Sequence, residues 1–399
     1  MTWRFSSRPS LLSFWEEEVL DLQVPFVDLK IQFRQIRDQV LSSVESICSK
    51  GAFVSGADIE DFEREFASFC GTKFCVALNS GSSSLHVGLK ALRLQPGAKI
   101  IVPALTFIAT AAMVTLSGGF PFFADVDPKT FCLDPIKVEE LLNSQLRTPS
   151  SKINAIIPVH LYGQSADMDR FVELSEKYRI PIIEDCSQAH GAKWNGRKVG
   201  GFGQVGCFSF YPAKNLGAYG EAGALITNDH NIFEFARSMR DHGSSQKYWH
   251  LFEGHNYRMD TLQAAILRIK LQRLEDWTAQ RRIAAGWYRE LLSDLEEIHL
   301  PVEANGRWHV YHLFVILTSH REKLRSYLSE KGIGTGIHYC VPLHLQPAYH
   351  HLGLKEGTFP VAESIARECL SLPMYPELTR EQVEYVCREI KSFFSKKPN

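Results

Sequence analysis

From residue 74 onward, short runs of β-branched and aromatic residues alternate with stretches whose apolar positions recur every three or four residues. That alternation predicts strands separated by helices. The strand candidates are FCVAL (74–78), KIIV (99–102), PFFADV (121–126), INAIIPV (153–159), IPIIE (180–184), GCFSFY (206–211) and GALIT (223–227). They are apolar on both faces, which suits the interior of a largely parallel sheet covered by helices. Helical segments fall between them, at 83–93, 107–117 and 167–178. A long helix is expected to start near Met259, with Met259, Leu262, Ile266 and Ile269 on one face, and to carry the chain out of the large unit. The remainder reads as a smaller α/β unit: YHLFVIL (311–317), a helix at 321–331, GTGIHY (334–339) and a closing helix from Thr379.

Length adds a domain count. At 399 residues and 45% hydrophobic, the chain exceeds the size at which one core stops growing, so two domains sharing a seam are expected. Lys and Arg total 44 against 45 Asp and Glu, a net charge of −1 with no long basic run. This argues against nucleic acid and anionic membrane as partners. No apolar stretch approaches the roughly 20 residues of a membrane span, and the first 23 residues have too brief an apolar run to serve as a secretory signal. A cytoplasmic location is expected. The nine cysteines include no C-x-x-C pair and are read as reduced, mostly buried thiols. The histidines His338, His344, His350 and His351 lack metal-ligand spacing, so no metal is expected.

Four local features carry candidate chemistry. GFGQVG (201–206) has the spacing of a dinucleotide fingerprint, but a hydrophilic segment precedes it and a strand follows, the reverse of what that motif requires; it is read as a glycine-rich loop. NSGSSSLHVGL (79–89) follows a strand and opens a helix at about Ser83, so Gly81, Ser82 and the free amides there suit an anion, although ordinary helix capping explains the serines equally well. Asp185 stands at the end of an apolar strand, where ligands of open α/β sheets gather. Lys214 lies between the last two strands among Gly, Ala and Tyr. Each has a bland reading as a cap or a solvated charge.

In order along the chain, an anion cradle, an aromatic (Phe107), a strand-end acid (Asp185) and a lysine (Lys214) are the parts needed to hold pyridoxal 5′-phosphate. A carboxylate about 4 Å from a pyridinium, at an effective dielectric near 20, contributes roughly 4 kcal/mol. That is about three pKa units, enough to keep the ring nitrogen protonated. A lysine that attacks and then moves a proton must be neutral, which desolvation promotes.

Residues 25 to about 391 resemble the DegT/DnrJ/StrS family of sugar-nucleotide aminotransferases. The likeness rests on PFVDLK, FVSG, NSGSSSL, VPALTFIATA, FADVDPKTFCLDP, IIPVHLYGQ, EDCSQAHGA, FSFYPAKNLGAYGEAGA, GHNYRMDTLQAA, HYCVPLHLQPAY and LSLPMYP, in that order. It implies the aspartate-aminotransferase-like fold type I of PLP-dependent transferases. In that fold a large domain with a mostly parallel seven-stranded sheet is joined to a smaller C-terminal α/β domain. The expected division is an unstructured extension over 1–24, a PLP-binding domain over 25–258, and a connecting helix with the small domain over 259–399. The resemblance further implies that Lys214 forms the Schiff base, Asp185 meets the pyridine nitrogen, Gln188 bonds the ring oxygen or the phosphate side, and Phe107 stacks on the ring. Gly81, Ser82 and Ser209 match phosphate contacts, and Asn256 matches an asparagine that reaches the phosphate from a neighbouring subunit, implying a homodimer with shared sites. Tyr219, His338 and Tyr339 are expected on the substrate side.

The implied reaction moves an amino group from L-glutamate to a keto sugar nucleotide in amino-sugar biosynthesis, and HGSSQKYWHLFEGHNYRMDTLQAA (242–265) most resembles members that aminate C3 of nucleotide-linked 3-keto-6-deoxyhexoses, usually dTDP sugars. C4 amination, or a UDP-linked 3-keto sugar, is the alternative. Related dehydratases carry histidine in place of the lysine, so Lys214 argues against that activity, and its presence with Asp185 and Gln188 argues against a non-catalytic regulator. Three positions depart from the family pattern: Ala222 for a glycine, Cys340 for a proline, and Ser187 for a small apolar residue. Ala222 would strain the backbone if its position required positive φ.

Overall fold

The computed structural model describes residues 22–145 and 152–395. All seven expected strands form: β1 (Phe74–Leu78), β2 (Lys99–Pro103), β3 (Phe120–Ala124), β4 (Ile153–Ile156), β5 (Ile183–Asp185), β6 (Val205–Ser209) and β7 (Gly223–Thr227). Ladders join them as β1-β7-β6-β5 and as β3-β2-β4. Parallel bridges Ile156–Ile182 and Val159–Asp185 link the halves into one sheet, ordered β1-β7-β6-β5-β4-β2-β3. Only β7 runs against its neighbours. Strand alternation sends Val76, Leu78, Val205 and Cys207 to one core and Cys75, Ala77, Phe208 and Phe210 to the other. This is why these segments read as apolar on both faces.

Helices cover the sheet. The helix α1 (Leu29–Lys50) is capped by Asp28, whose side chain accepts from the amides of Lys30 and Ile31. After α2 (Ala57–Cys70) comes α3 (Gly81–Ala91), which starts two residues before the expected Ser83 because Ser80 is its N-cap, accepting from the Ser83 amide at 3.0 Å. Next are α4 (Ala109–Leu116), α5 (Pro135–Gln145), α6 (Met168–Tyr178) and α7 (His230–Arg240).

The long helix expected from Met259 is instead two. Asp260 caps the first by accepting from the Gln263 amide, so α8 spans Thr261–Leu271 and α9 spans Leu274–Leu292. The expected stripe is divided accordingly. Ile266 and Ile269 meet Phe33, Ile36, Val40 and Val44 of α1, whereas Met259, Ala264 and Leu267 join the sheet core. It is α9 that crosses to the smaller unit: Leu274 belongs to the sheet core, and Ala284, Tyr288 and Leu292 belong to the C-terminal core. That unit contains an antiparallel pair, β8 (Phe314–Leu317) with β9 (Cys369–Leu372). With it are α10 (Arg321–Glu330), α11 (Pro360–Glu368) and α12 (Arg380–Ser395). The segment GTGIHY contributes no strand, only a bridge from Gly336 to Ser371.

Most of the N-terminal extension expected over 1–24 lies outside the described residues. Within them, Val24 is fully buried in the C-terminal core and bonds Gly332 and Gly334 through its N–H and C=O, so the packed chain begins before residue 25. Among the described residues, no helix is long and apolar enough to cross a membrane.

Candidate active site

At the carboxyl ends of the strands, a cleft of about 580 Å³ opens between the sheet and the C-terminal unit. The sheet side supplies Ser80, Gly81, Ser82, Thr106, Phe107, Asp185, Gln188, Ser209 and Lys214; the other side supplies Phe26, His312, His338, Tyr339 and Met374. Loops leaving adjacent parallel strands diverge at this edge, which is where such sheets form crevices.

The cradle is set by close backbone approach. A Cβ on Gly81 would lie 2.5 Å from Cβ of Ser209, and one on Gly223 would lie 2.2 Å from the Ser80 carbonyl oxygen. Only glycine lets the start of α3 press against the end of β6. The first turn of α3, with Gly81 and Ser82, therefore lines the cleft beside Ser209, with the positive end of the helix dipole behind it. Ala222, buried just ahead of β7, is not among the residues with positive φ. The methyl group that replaces glycine there imposes no left-handed strain.

Asp185 ends β5 with its side chain buried and fixed. One carboxylate oxygen accepts from Thr110 Oγ1 at 2.8 Å, the other from the Ser187 amide at 3.1 Å. Lys214 sits on the turn after β6, its amide donating to the Tyr211 carbonyl at 2.8 Å. Burial lowers its pKa to about 8 from the ordinary lysine value of 10.5, with Asp185 opposing that fall. Its Nζ lies 3.4 Å from His312 Nε2.

Gln188 is buried in the wall, accepting from the Tyr162 amide at 2.8 Å and donating to the Tyr339 hydroxyl at 3.0 Å. Phe107 is 53% exposed, with its ring centroid 5.9 Å from that of Tyr339. His338 stacks on Phe26, and its Nδ1 is 2.8 Å from Ser371 Oγ. Burial first, and the Lys214 charge second, lower the His338 pKa to about 4. Burial raises the Tyr339 pKa far above the usual phenol value.

Two expected site residues do not join this cleft within one chain. Tyr219 packs by its ring over Lys270 Nζ at 4.2 Å, and its amide donates to Gln263 Oε1. Asn256 is exposed and pairs with Asp241 in a bridge. Conversely, Thr110 and His312 enter the site without having been expected there. Thr110 sits three residues past Phe107 on the first turn of α4, a spacing that offered a signal. His312 precedes β8 in a segment that reads only as a strand.

The donor set fits a flat, phosphate-bearing pyridine. Backbone amides and hydroxyls stand at the α3 start, a fixed carboxylate lies deep in the cleft, an exposed aromatic face lies beside it, and a desolvated amine is at hand.

Comparison with known proteins agrees. The chain is 41% identical over 371 residues to the dTDP-3-amino-3,4,6-trideoxy-alpha-D-glucose transaminase of Streptomyces venezuelae, covering 93% of this chain and 96% of that one. It is 40% identical to the UDP-N-acetyl-3-dehydro-alpha-D-glucosamine 3-aminotransferase of Acidithiobacillus ferrooxidans, covering 92% and 97%. Identity to a pleiotropic regulatory protein of Geobacillus stearothermophilus is 41%, covering 94% and 99%. The crystal structure of S. venezuelae DesV, in complex with a ketimine intermediate, superposes with a TM-score of 0.90 at 40% identity, covering 94% of this chain and all of that one. The structure of NtdA from Bacillus subtilis, with PMP bound, gives 0.84 at 30% identity, covering 92% and 85%. With the model of the DegT/DnrJ/EryC1/StrS aminotransferase family matching residues 34–391, the chain belongs to that family.

Proposed function

We propose that this chain transfers an amino group from L-glutamate to C3 of a nucleotide-linked 3-keto-6-deoxyhexose, using pyridoxal 5′-phosphate and working as a homodimer in the cytoplasm. The observation that carries the proposal is Lys214, whose amine is held toward neutrality in the same cleft as the fixed Asp185 carboxylate. C3 is favoured over C4 because relatives at about 40% identity are named for 3-amino and 3-dehydro sugars. The nine cysteines are unpaired thiols, which suits a reducing compartment.

The amides at the start of α3 with Ser82 and Ser209 would hold the phosphate, Asp185 the pyridine nitrogen, and Phe107 one face of the ring. When bound, pyridoxal phosphate supplies an electron sink for charge left on a substrate carbon. The protein supplies the proton traffic. Lys214 Nζ, neutral above pH of about 8, takes a proton from substrate and returns it. The Thr110 and Ser187 bonds hold the Asp185 carboxylate in place in the cleft. His338 stays neutral at working pH, so it hydrogen-bonds substrate without adding charge.

The test incubates purified protein and glutamate with 3-keto and 4-keto nucleotide sugars in parallel, and reads the position of the new amino group by NMR. The expected product is a 3-amino sugar. Lys214→Ala should lose more than about a thousandfold in turnover, within the range for removing a positioned proton-transfer group. A 4-amino product corrects the regiochemistry, and near wild-type turnover by Lys214→Ala overturns the role of the lysine. A regulatory reading, prompted by the Geobacillus relative's name, would require that no keto sugar is aminated at all.

A further inference from the structure

We infer that His312 is the positioning residue for the reactive amine: its Nε2 accepts a hydrogen bond from Lys214 Nζ and holds the side chain at the cleft floor whenever the amine is free. The inference rests on Lys214 being that amine. In transamination the lysine is released for half of each cycle, while the amino group is carried elsewhere. A released lysine side chain has many rotamers, and confining it requires a partner.

The geometry offers such a partner. Nζ and Nε2 are 3.4 Å apart, and both residues line the cleft. For Nε2 to accept, the ring proton must sit on Nδ1. That atom is occluded and has no hydrogen-bond partner among the described residues, so no competing acceptor or donor dictates its state. Burial, joined by the charges of Lys214 and Arg281 and by neighbouring His338 and His190, holds the His312 pKa well below its ordinary value. The ring therefore remains neutral, and in the tautomer with its proton on Nδ1 the Nε2 lone pair faces Lys214.

The titratable groups coupled to Lys214 are Asp185 from the sheet, His190 from the loop after β5, His312 ahead of β8, and His338 from the opposite wall. Glu221, Tyr211 and Tyr339 line the same cleft, and the Asp185 oxygens accept from Thr110 and Ser187. His338 Nδ1 is within reach of Ser371. This leaves His312 as the neutral acceptor at hydrogen-bond distance from the amine. It sits in the turn between Tyr311 and Leu313 that approaches Gly163, whose own Cβ would meet the His312 amide nitrogen at 2.8 Å. Leu313 and Val310 are tied by backbone bonds to Tyr162 and Gly163. The ring thus projects from a segment pinned to the sheet side, which suits a fixed anchor.

The test uses the full chain loaded with pyridoxamine phosphate, in which the Lys214 amine is free. Competitive acetylation across pH, read at Lys214 by mass spectrometry, reports its protonation directly and needs no turnover. Wild type should show a midpoint below the ordinary lysine value of 10.5. His312→Leu removes the acceptor that favours the ammonium and should lower the midpoint by about one pH unit, a tenfold change in protonation constant. His312→Gln, which retains an acceptor oxygen, should stay within about 0.3 of wild type. An unchanged midpoint in His312→Leu, or equal shifts in both variants, overturns the inference while leaving the role of Lys214 intact. A wild-type midpoint at the ordinary lysine value would instead remove the reactive amine, and the inference with it. Should His312→Leu not fold, nitrogen NMR of the wild-type ring decides: a proton on Nδ1 supports the assignment, and a proton on Nε2 overturns it.

Discussion

Strand alternation sends the carboxylates of Glu184 and Asp185, neighbours in sequence, to opposite faces of the sheet. Asp185 enters the cleft. Glu184 is fully buried on the other side. Its oxygens accept from the amides of Gly200, Phe202 and Gly203 at 2.7 to 2.8 Å and lie 3.1 Å from His160 Nε2. Because His160 Nδ1 already accepts from the Ala166 amide, Nε2 is the donor. The glycine-rich loop after residue 199 thus wraps a carboxylate of its own chain and not a phosphate, and glycine is needed where it does so. A Cβ on Gly203 would lie 2.6 Å from the Ile182 carbonyl oxygen. The order of strand and loop excluded a dinucleotide motif from sequence, but nothing local identified Glu184 as the anion. Glu184→Gln turns an amide NH2 toward inward-pointing N–H groups. The expected cost is about 2 to 4 kcal/mol, from lost charge-assisted bonds and an unsatisfied buried donor. Thermal unfolding of the holoenzyme checks it, and an unchanged midpoint would show that the loop does not depend on the charge.

At the scale of elements, the sheet was legible because each strand packs a core on both faces and so carries apolar residues at consecutive positions. Helix boundaries were less so. Ser80 and Asp260 each moved a start by a residue or two, and the break between α8 and α9 has no Pro or Gly to announce it. The cleft was legible where several local features fell in order along the chain, as with Gly81, Asp185 and Lys214, which the fold brings together. It was not where the partner comes from far along the chain: Thr110 meets Asp185 across 75 residues, and His312 meets Lys214 across 98. The start of α3 gives a test of the cradle. A methyl group at residue 81 must displace Ser209 or tilt the first turn. Overpacking of that kind costs about 1 to 3 kcal/mol, and here it falls on the amides that would hold phosphate. Gly81→Ala should remain folded by circular dichroism while its affinity for pyridoxal phosphate drops at least about tenfold. Wild-type affinity would mean that the cofactor does not lean on this turn.

For the whole molecule, the two expected residues absent from the cleft share a feature: both lie on exposed surface. Asn256 follows a short hairpin that carries Tyr248 at its tip and Trp249 at the start of its second strand, 84% and 66% exposed. Its own carbonyl accepts from Asn79, next to the cap of α3. Within one chain, however, its side chain lines no part of the cleft. If a second copy supplies Asn256 to the phosphate, cofactor binding and dimerisation must be linked, because a ligand that binds only the assembled form shifts the equilibrium toward it. At a hundredfold excess over its Kd, a ligand with no affinity for the dissociated chain adds about 2.7 kcal/mol per site. The dimer dissociation constant should then fall about a hundredfold for each site filled. Sedimentation of the protein with and without pyridoxal phosphate, over a dilution series, measures that shift. Asn256→Ala should shrink it without altering the dissociation of the cofactor-free dimer, since the side chain would face phosphate and not the partner's core. Superimposable dissociation curves with and without cofactor, or a monomer that retains pyridoxal phosphate at full affinity, would place the whole cradle within one chain and leave Asn256 a surface residue.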